Sequence, residues 1–105
     1  RVIAAGVTAV VAYNDLMAIG LLRAAAEQGI DVPSRLSVSG FDEIFGSDFT
    51  SPALTTVRTP LARAGERAVR LALEMLGADD APAPGDDEAI VTSLVVRGST
   101  GPSDG

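Results

Sequence analysis

Histidine, cysteine and lysine are all missing from this chain of 105 residues. Without His or Cys there is no imidazole acid–base catalysis, no thiol nucleophile and no zinc site of the usual nitrogen and sulfur type. Without Lys there is no Walker A loop and no Schiff base. Serine is present eight times, but no Gly-x-Ser-x-Gly elbow surrounds it and no His completes a triad. No glycine-rich phosphate loop follows a strand, so a nucleotide-using enzyme also loses its support. The chain reads as a non-enzyme that needs no cofactor. Positive charge is scarce as well: eight Arg face 14 Asp and Glu, for a net charge of −6. That balance repels a phosphate backbone, so any grip on nucleic acid must come from residues outside this segment. No apolar run approaches the roughly 18 residues of a membrane span.

The remaining composition, 47% hydrophobic, suits one small domain or part of one, since a chain of this length can bury one core but hardly two. Arg1–Gly6 reads as the tail of a helix ended by glycine, and the chain is therefore read as a piece of something longer. Thr8–Tyr13 is a continuous, β-branched apolar run, the pattern of a strand buried on both faces. Asn14 is placed to cap the helix Leu16–Gln28, with Asp15 suiting the positive end of its dipole and Gly29 stopping it. A turn at Asp31–Ser34 leads to a second strand, Leu36–Phe41, ending at Asp42. Strand, helix and strand over about 35 residues predict a βαβ unit with parallel strands.

After an irregular stretch, Leu54–Arg58 is a third extended piece, and Thr59-Pro60 predicts a cap and first-turn proline for a helix over Leu61–Leu76. That helix carries Leu61, Ala64, Ala68, Leu71, Ala72 and Met75 on one stripe and ends at Gly77. Residues 78–88 form an acidic, proline-bearing segment expected to be a mobile loop, 89–100 returns to a strand, and 101–105 is a tail.

Both strands of the βαβ unit end in a polar residue, Asn14 and Asp42. In open α/β sheets the crevice outside the carboxyl ends of the strands is where ligands sit. An amide and a carboxylate suit a ligand rich in hydroxyl or N–H groups, a sugar, polyol or nucleobase. The plainer reading, a helix cap and a turn residue, stays open. Asp42, Glu43 and Asp48 lack the spacing of a cation loop, so no metal site is assigned. The first helix is apolar nearly all round, which calls for a second partner, either another subunit or further chain.

The string Thr8–Gly20, together with Gly29–Pro33, Leu36–Glu43, Pro52–Arg58, the second helix's Pro60, Gly65 and Ala68, and Leu94–Thr100, resembles the effector-binding region of LacI/GalR-family transcriptional regulators. These linked motifs, in order, cover nearly the whole chain. The resemblance implies an α/β fold: a parallel-sheet βαβ fragment from the C-terminal part of a two-lobed, periplasmic-binding-protein-like core. Residues 1–58 then belong to the C-terminal lobe, and the helix within 59–77 to an N-terminal lobe outside this chain. Asn14 and Asp42 match positions that bind effector, while Ile19, Leu22, Phe49 and Thr50 match a dimer interface.

A cytoplasmic homodimer is implied, sensing a small molecule and reaching operator DNA through a headpiece not present here, with no membrane contact. The alternative on the same fold is the C-terminal lobe of a sugar-binding receptor of an uptake system. Asp42-Glu43 departs from the commoner Asp-Asp, which bears on effector identity.

Overall fold

The computed structural model describes residues 5–77 and 89–103; the acidic segment 78–88 therefore lies outside the described residues. Its elements are β1 (Ala9–Val11), α1 (Asp15–Glu27), β2 (Ser37–Ser39), β3 (Thr56–Arg58), α2 (Leu61–Met75) and β4 (Ser93–Val95). The chain forms two compact units. The first comprises Arg1–Arg58 and Ser93–Gly105, and the second is Thr59–Thr92.

In the first unit β1 and β2 pair in parallel, with Ala9 opposite Ser37 and Val11 opposite Ser39. The βαβ expectation is met, with shorter strands than the apolar runs suggest. α1 starts where Asn14 caps it: the Met17 N–H donates to Asn14 Oδ1 at 2.9 Å. It buries Asp15, Ala18, Leu22 and Ala25, the i, i+3, i+7, i+10 spacing of one helical face. Ala18 and Leu22 close on Leu36, Val38 and Leu54 to make the core, with Val10, Ile19 and Ile30 packed around it.

Burial on both faces is not what β1 shows. Val11 and Tyr13 lie open, because among the described residues α1 covers only the opposite face of the sheet. β2 is linked to β3 by parallel bridges between Ser39 and Thr55 and between Asp42 and Arg58, and β3 pairs antiparallel with β4, Arg58 opposite Ser93.

Ser99 is a strut inserted into this sheet. It is fully buried; its Oγ donates to the Val38 carbonyl and accepts from the Thr55 N–H at 2.8 Å. Its own N–H donates to Ala53 O, and its carbonyl accepts from Val38 N–H.

In the second unit α2 begins at Leu61, as the sequence suggests, but its cap falls one residue later, at Pro60 instead of Thr59. Pro60 takes the cap position with no side-chain cap, and Leu61 N–H donates to the Thr59 carbonyl. None of its side chains is buried, and Leu61, Leu71 and Met75 of the apolar stripe lie open.

Candidate functional site

Parallel pairing of β1 and β2 runs on past the strands. Ala12 N–H donates to Ser39 O at 2.8 Å, and Asp15 N–H donates to Phe41 O at 3.0 Å. The second of these bonds joins the peptide that follows Asn14 to the peptide that precedes Asp42. The two residues therefore stand level on one carboxyl rim, both half-buried. Asn14 is also the helix cap, so the two readings of this residue are compatible.

Asp42 is held there by an unusual backbone. Asp42 has φ of 109° and Glu43 φ of 56°, two successive non-glycine residues in the left-handed half of conformational space. Such geometry persists only where its surroundings over-determine it. Here the N–H groups of three residues in a row are pinned: Asp42 to Val57 O (3.0 Å), Glu43 to Thr56 Oγ1 (3.3 Å) and Ile44 to Asp15 Oδ2 (2.8 Å).

Asp15 is the residue the sequence reading undervalued. Instead of merely complementing the helix dipole, it is fully buried, and its Oδ1 accepts from the Thr56 hydroxyl at 2.6 Å. The available signal was its place on the stripe Asp15, Ala18, Leu22, Ala25. A carboxylate on an otherwise apolar stripe is buried only when hydrogen bonds satisfy it.

Beside this turn stands an ion cluster. The Arg58 guanidinium donates through Nε to Glu43 Oε2 and through Nη2 to Oε1 at 2.9 Å. Arg97 Nη2 donates to the same Oε1 at 2.7 Å, while its Nη1 reaches Ser47 Oγ (3.0 Å) and Leu54 O (3.1 Å). Bidentate pairing of this kind is the strong form of the arginine–carboxylate bond. Hydrogen bonds from Arg58 do most to hold the Glu43 carboxyl down at about 2, below its ordinary 4.5; desolvation opposes them and Arg97 adds to them. With both guanidinium groups on it, this carboxylate is committed to the fold rather than to a cation.

A pH dependence follows with a definite sign. Because folding lowers the Glu43 pKa from 4.5 to about 2, its contribution to stability is complete above 4.5 and disappears as pH falls towards 2. Urea melts of the protein and of Glu43→Gln should differ most at neutral pH, and the gap should close across that acidic window. A gap of constant size from pH 7 to 2 would contradict it.

The four residues matched to a dimer interface divide. Leu22 is drawn into the core, 6% exposed, because it lies on the buried face of α1; it is removed from the interface set. Ile19 packs its inner flank against the same core. Phe49 stands open, edge-on to Phe45 with ring centroids 5.2 Å apart. Thr50 is half-buried and donates its hydroxyl to Pro52 O at 2.8 Å. Phe45, 92% exposed, was not singled out by sequence. A shallow cavity of about 250 Å³ opens beside the two rings, lined by residues 43–49 and Arg97; neither Asn14 nor Asp42 lines it.

Residues 2–100 match the model of the periplasmic binding protein-like domain. The HTH-type transcriptional regulator MalR of Streptomyces coelicolor is 48% identical over 98 residues, 93% of this chain and 28% of that protein. A LacI family transcriptional regulator from Lactobacillus casei, solved with bound sucrose, superposes with a TM-score of 0.80 at 28% identity, covering 89% of this chain and 33% of that one. The lac repressor dimer, solved bound to operator and an anti-inducer, gives 0.72 at 34% identity over 89% of this chain and 32% of that one. The chain thus spans about 28% of the curated relative's length.

Proposed function

We propose, from the premise that this chain belongs to the periplasmic binding protein-like domain family, that it supplies part of the effector pocket of a bacterial transcriptional regulator of the LacI/GalR type. Within that reading, residues 1–58 are a piece of the C-terminal lobe and α2 belongs to the other lobe, against which its open apolar stripe would pack. The regulator reading is favoured over an uptake receptor by its relatives, which are HTH-type transcriptional regulators. It works as a cytoplasmic homodimer, reaching operator DNA through a headpiece outside this chain and performing no catalysis. No helix among the described residues is long and apolar enough to cross a membrane.

The observation that carries the proposal is the shared rung that sets Asn14 and Asp42 level on one rim. Their chemistry is complementary. The Asn14 carbonyl oxygen is engaged in the helix cap, so what it offers a ligand is its NH₂ as donor. Asp42 offers a carboxylate as acceptor. A hydroxyl pair satisfies both, which points to a small polyhydroxy effector. Effector binding would favour one arrangement of the lobes and pass that preference to the DNA-binding heads as a population shift, with coupling of about 1–3 kcal/mol. Phe49 and Thr50, with the outer flank of Ile19, are the proposed contacts to the second subunit.

In the full-length protein, Asp42→Ala should weaken saccharide binding by roughly 10- to 150-fold, the worth of about 1.5–3 kcal/mol for a hydrogen bond to a charged group. Operator affinity without effector should be unchanged. The check is calorimetric titration with a saccharide panel, sucrose included, beside operator binding by fluorescence anisotropy. Equal saccharide affinity in wild type and variant would remove Asp42 from the site.

A further inference from the structure

The ion cluster at Glu43 is more than a surface staple, because of where its three members come from. Glu43 is the residue directly after Asp42 and shares its left-handed backbone. Arg58 ends β3 and is the last residue of the first unit before the chain passes to the second. Arg97 lies just beyond β4, the strand by which the chain returns. Asp42 itself bridges to Arg58 in the sheet, its N–H donating to Val57 O. One carboxylate therefore ties the turn that carries the rim residue to both strands that lead out of this unit and back.

We propose that Glu43 is a positioning residue: its carboxylate, shared by Arg58 and Arg97, holds the left-handed turn at Asp42–Glu43 and so sets where the Asp42 carboxyl group stands. The backbone hydrogen bonds of residues 42–44 alone leave the Glu43 side chain free to turn away. The two guanidinium groups fix it from two sides, and a strained turn keeps its shape only under such constraint. The device also has a direction. Any ligand that depends on the placement of Asp42 is linked through Glu43 to the end of β3, and by reciprocity a shift of Arg58 alters the rim. Glutamate fits this role because its chain is one methylene longer than that of aspartate, which lets one carboxylate serve both arginines.

That Asp42 touches ligand is the reading given above. The positioning claim is tested without any ligand, so the two can fail separately. Hydrogen exchange followed by mass spectrometry on the full-length protein should show the peptide spanning residues 41–46 exchanging at least tenfold faster in Glu43→Gln and in Arg58→Gln. Peptides from the middle of α1 and from β2 should be unchanged. Glu43→Asp, which keeps the charge but reaches one arginine at a time, should fall between wild type and Glu43→Gln. Unchanged exchange over 41–46 overturns the proposal. So does equal acceleration of the α1 and β2 peptides, since that would show a role in general stability alone. If the turn loosens as expected but Glu43→Gln and Asp42→Ala both leave saccharide affinity untouched, the positioning stands and the ligand assignment of Asp42 falls.

Discussion

Alanine at position 40 is expected to destabilise the fold by roughly 2–6 kcal/mol, from overpacking and hydrogen-bond loss of about 1–3 kcal/mol each. A Cβ on Gly40 would stand 2.2 Å from Asp15 Oδ1, 3.1 Å from the Asp15 Cα and 3.1 Å from Leu54 Cδ2. The first of these is a side-chain atom, but one fully buried and bonded to Thr56, so it has nowhere to swing. The second is backbone of the first turn of α1. β2 and the start of α1 would have to separate, and the rung between Asp15 N–H and Phe41 O would stretch. Urea denaturation checks this through a lower midpoint at unchanged slope. A loss below about 0.5 kcal/mol, the range of neutral surface changes, would mean that the helix start can retreat at no cost.

Removal of the Asp15 carboxylate should be nearly as damaging. Asp15→Ala deprives the Thr56 hydroxyl and the Ile44 N–H of their acceptors. Each buried donor left unpaired costs about 1–3 kcal/mol, so a total near 3 kcal/mol is expected. Asp15→Asn keeps one acceptor and turns an NH₂ towards the other donor. Thr56 can rotate its hydroxyl to accept while Ile44 N–H cannot, so the asparagine variant should be milder than alanine. A cycle with Thr56→Val separates the parts: in the Asp15→Ala background that change should cost less than it does alone, because its partner is already gone. Strict additivity of the two changes would show that the 2.6 Å contact carries no energy of its own.

The elements legible in the sequence are those encoded by neighbours. The cap at Asn14 and the stop at Gly29 depend on residues within a turn or two of one another, and the parallel unit on two apolar runs separated by that single helix. The placement of Asn14 and Asp42 on one edge was legible because each ends an apolar run, and two parallel strands must finish at the same edge. What escaped is encoded across distance. Glu43 and Arg97 are 54 residues apart, and nothing in their spacing announces a pair.

Leu22 shows the opposite failure. A helix apolar nearly all round does not disclose which flank faces inward, and the interface assignment fell on the flank that Leu36 and Val38 cover. The left-handed backbone at Asp42–Glu43 had no glycine to signal it.

The strut at Ser99 bears on how this protein is born. The first unit is interrupted in the chain by Thr59–Thr92, and its β2 and β3 edges are sewn together by a residue made only after that interruption. Translation proceeds from the amino end, and chain segments generally organise as they emerge. A nascent chain that has reached Arg58 already holds every member of the apolar core, yet the Val38 N–H and carbonyl and the Thr55 N–H must wait for their partner until the ribosome has delivered the closing stitch.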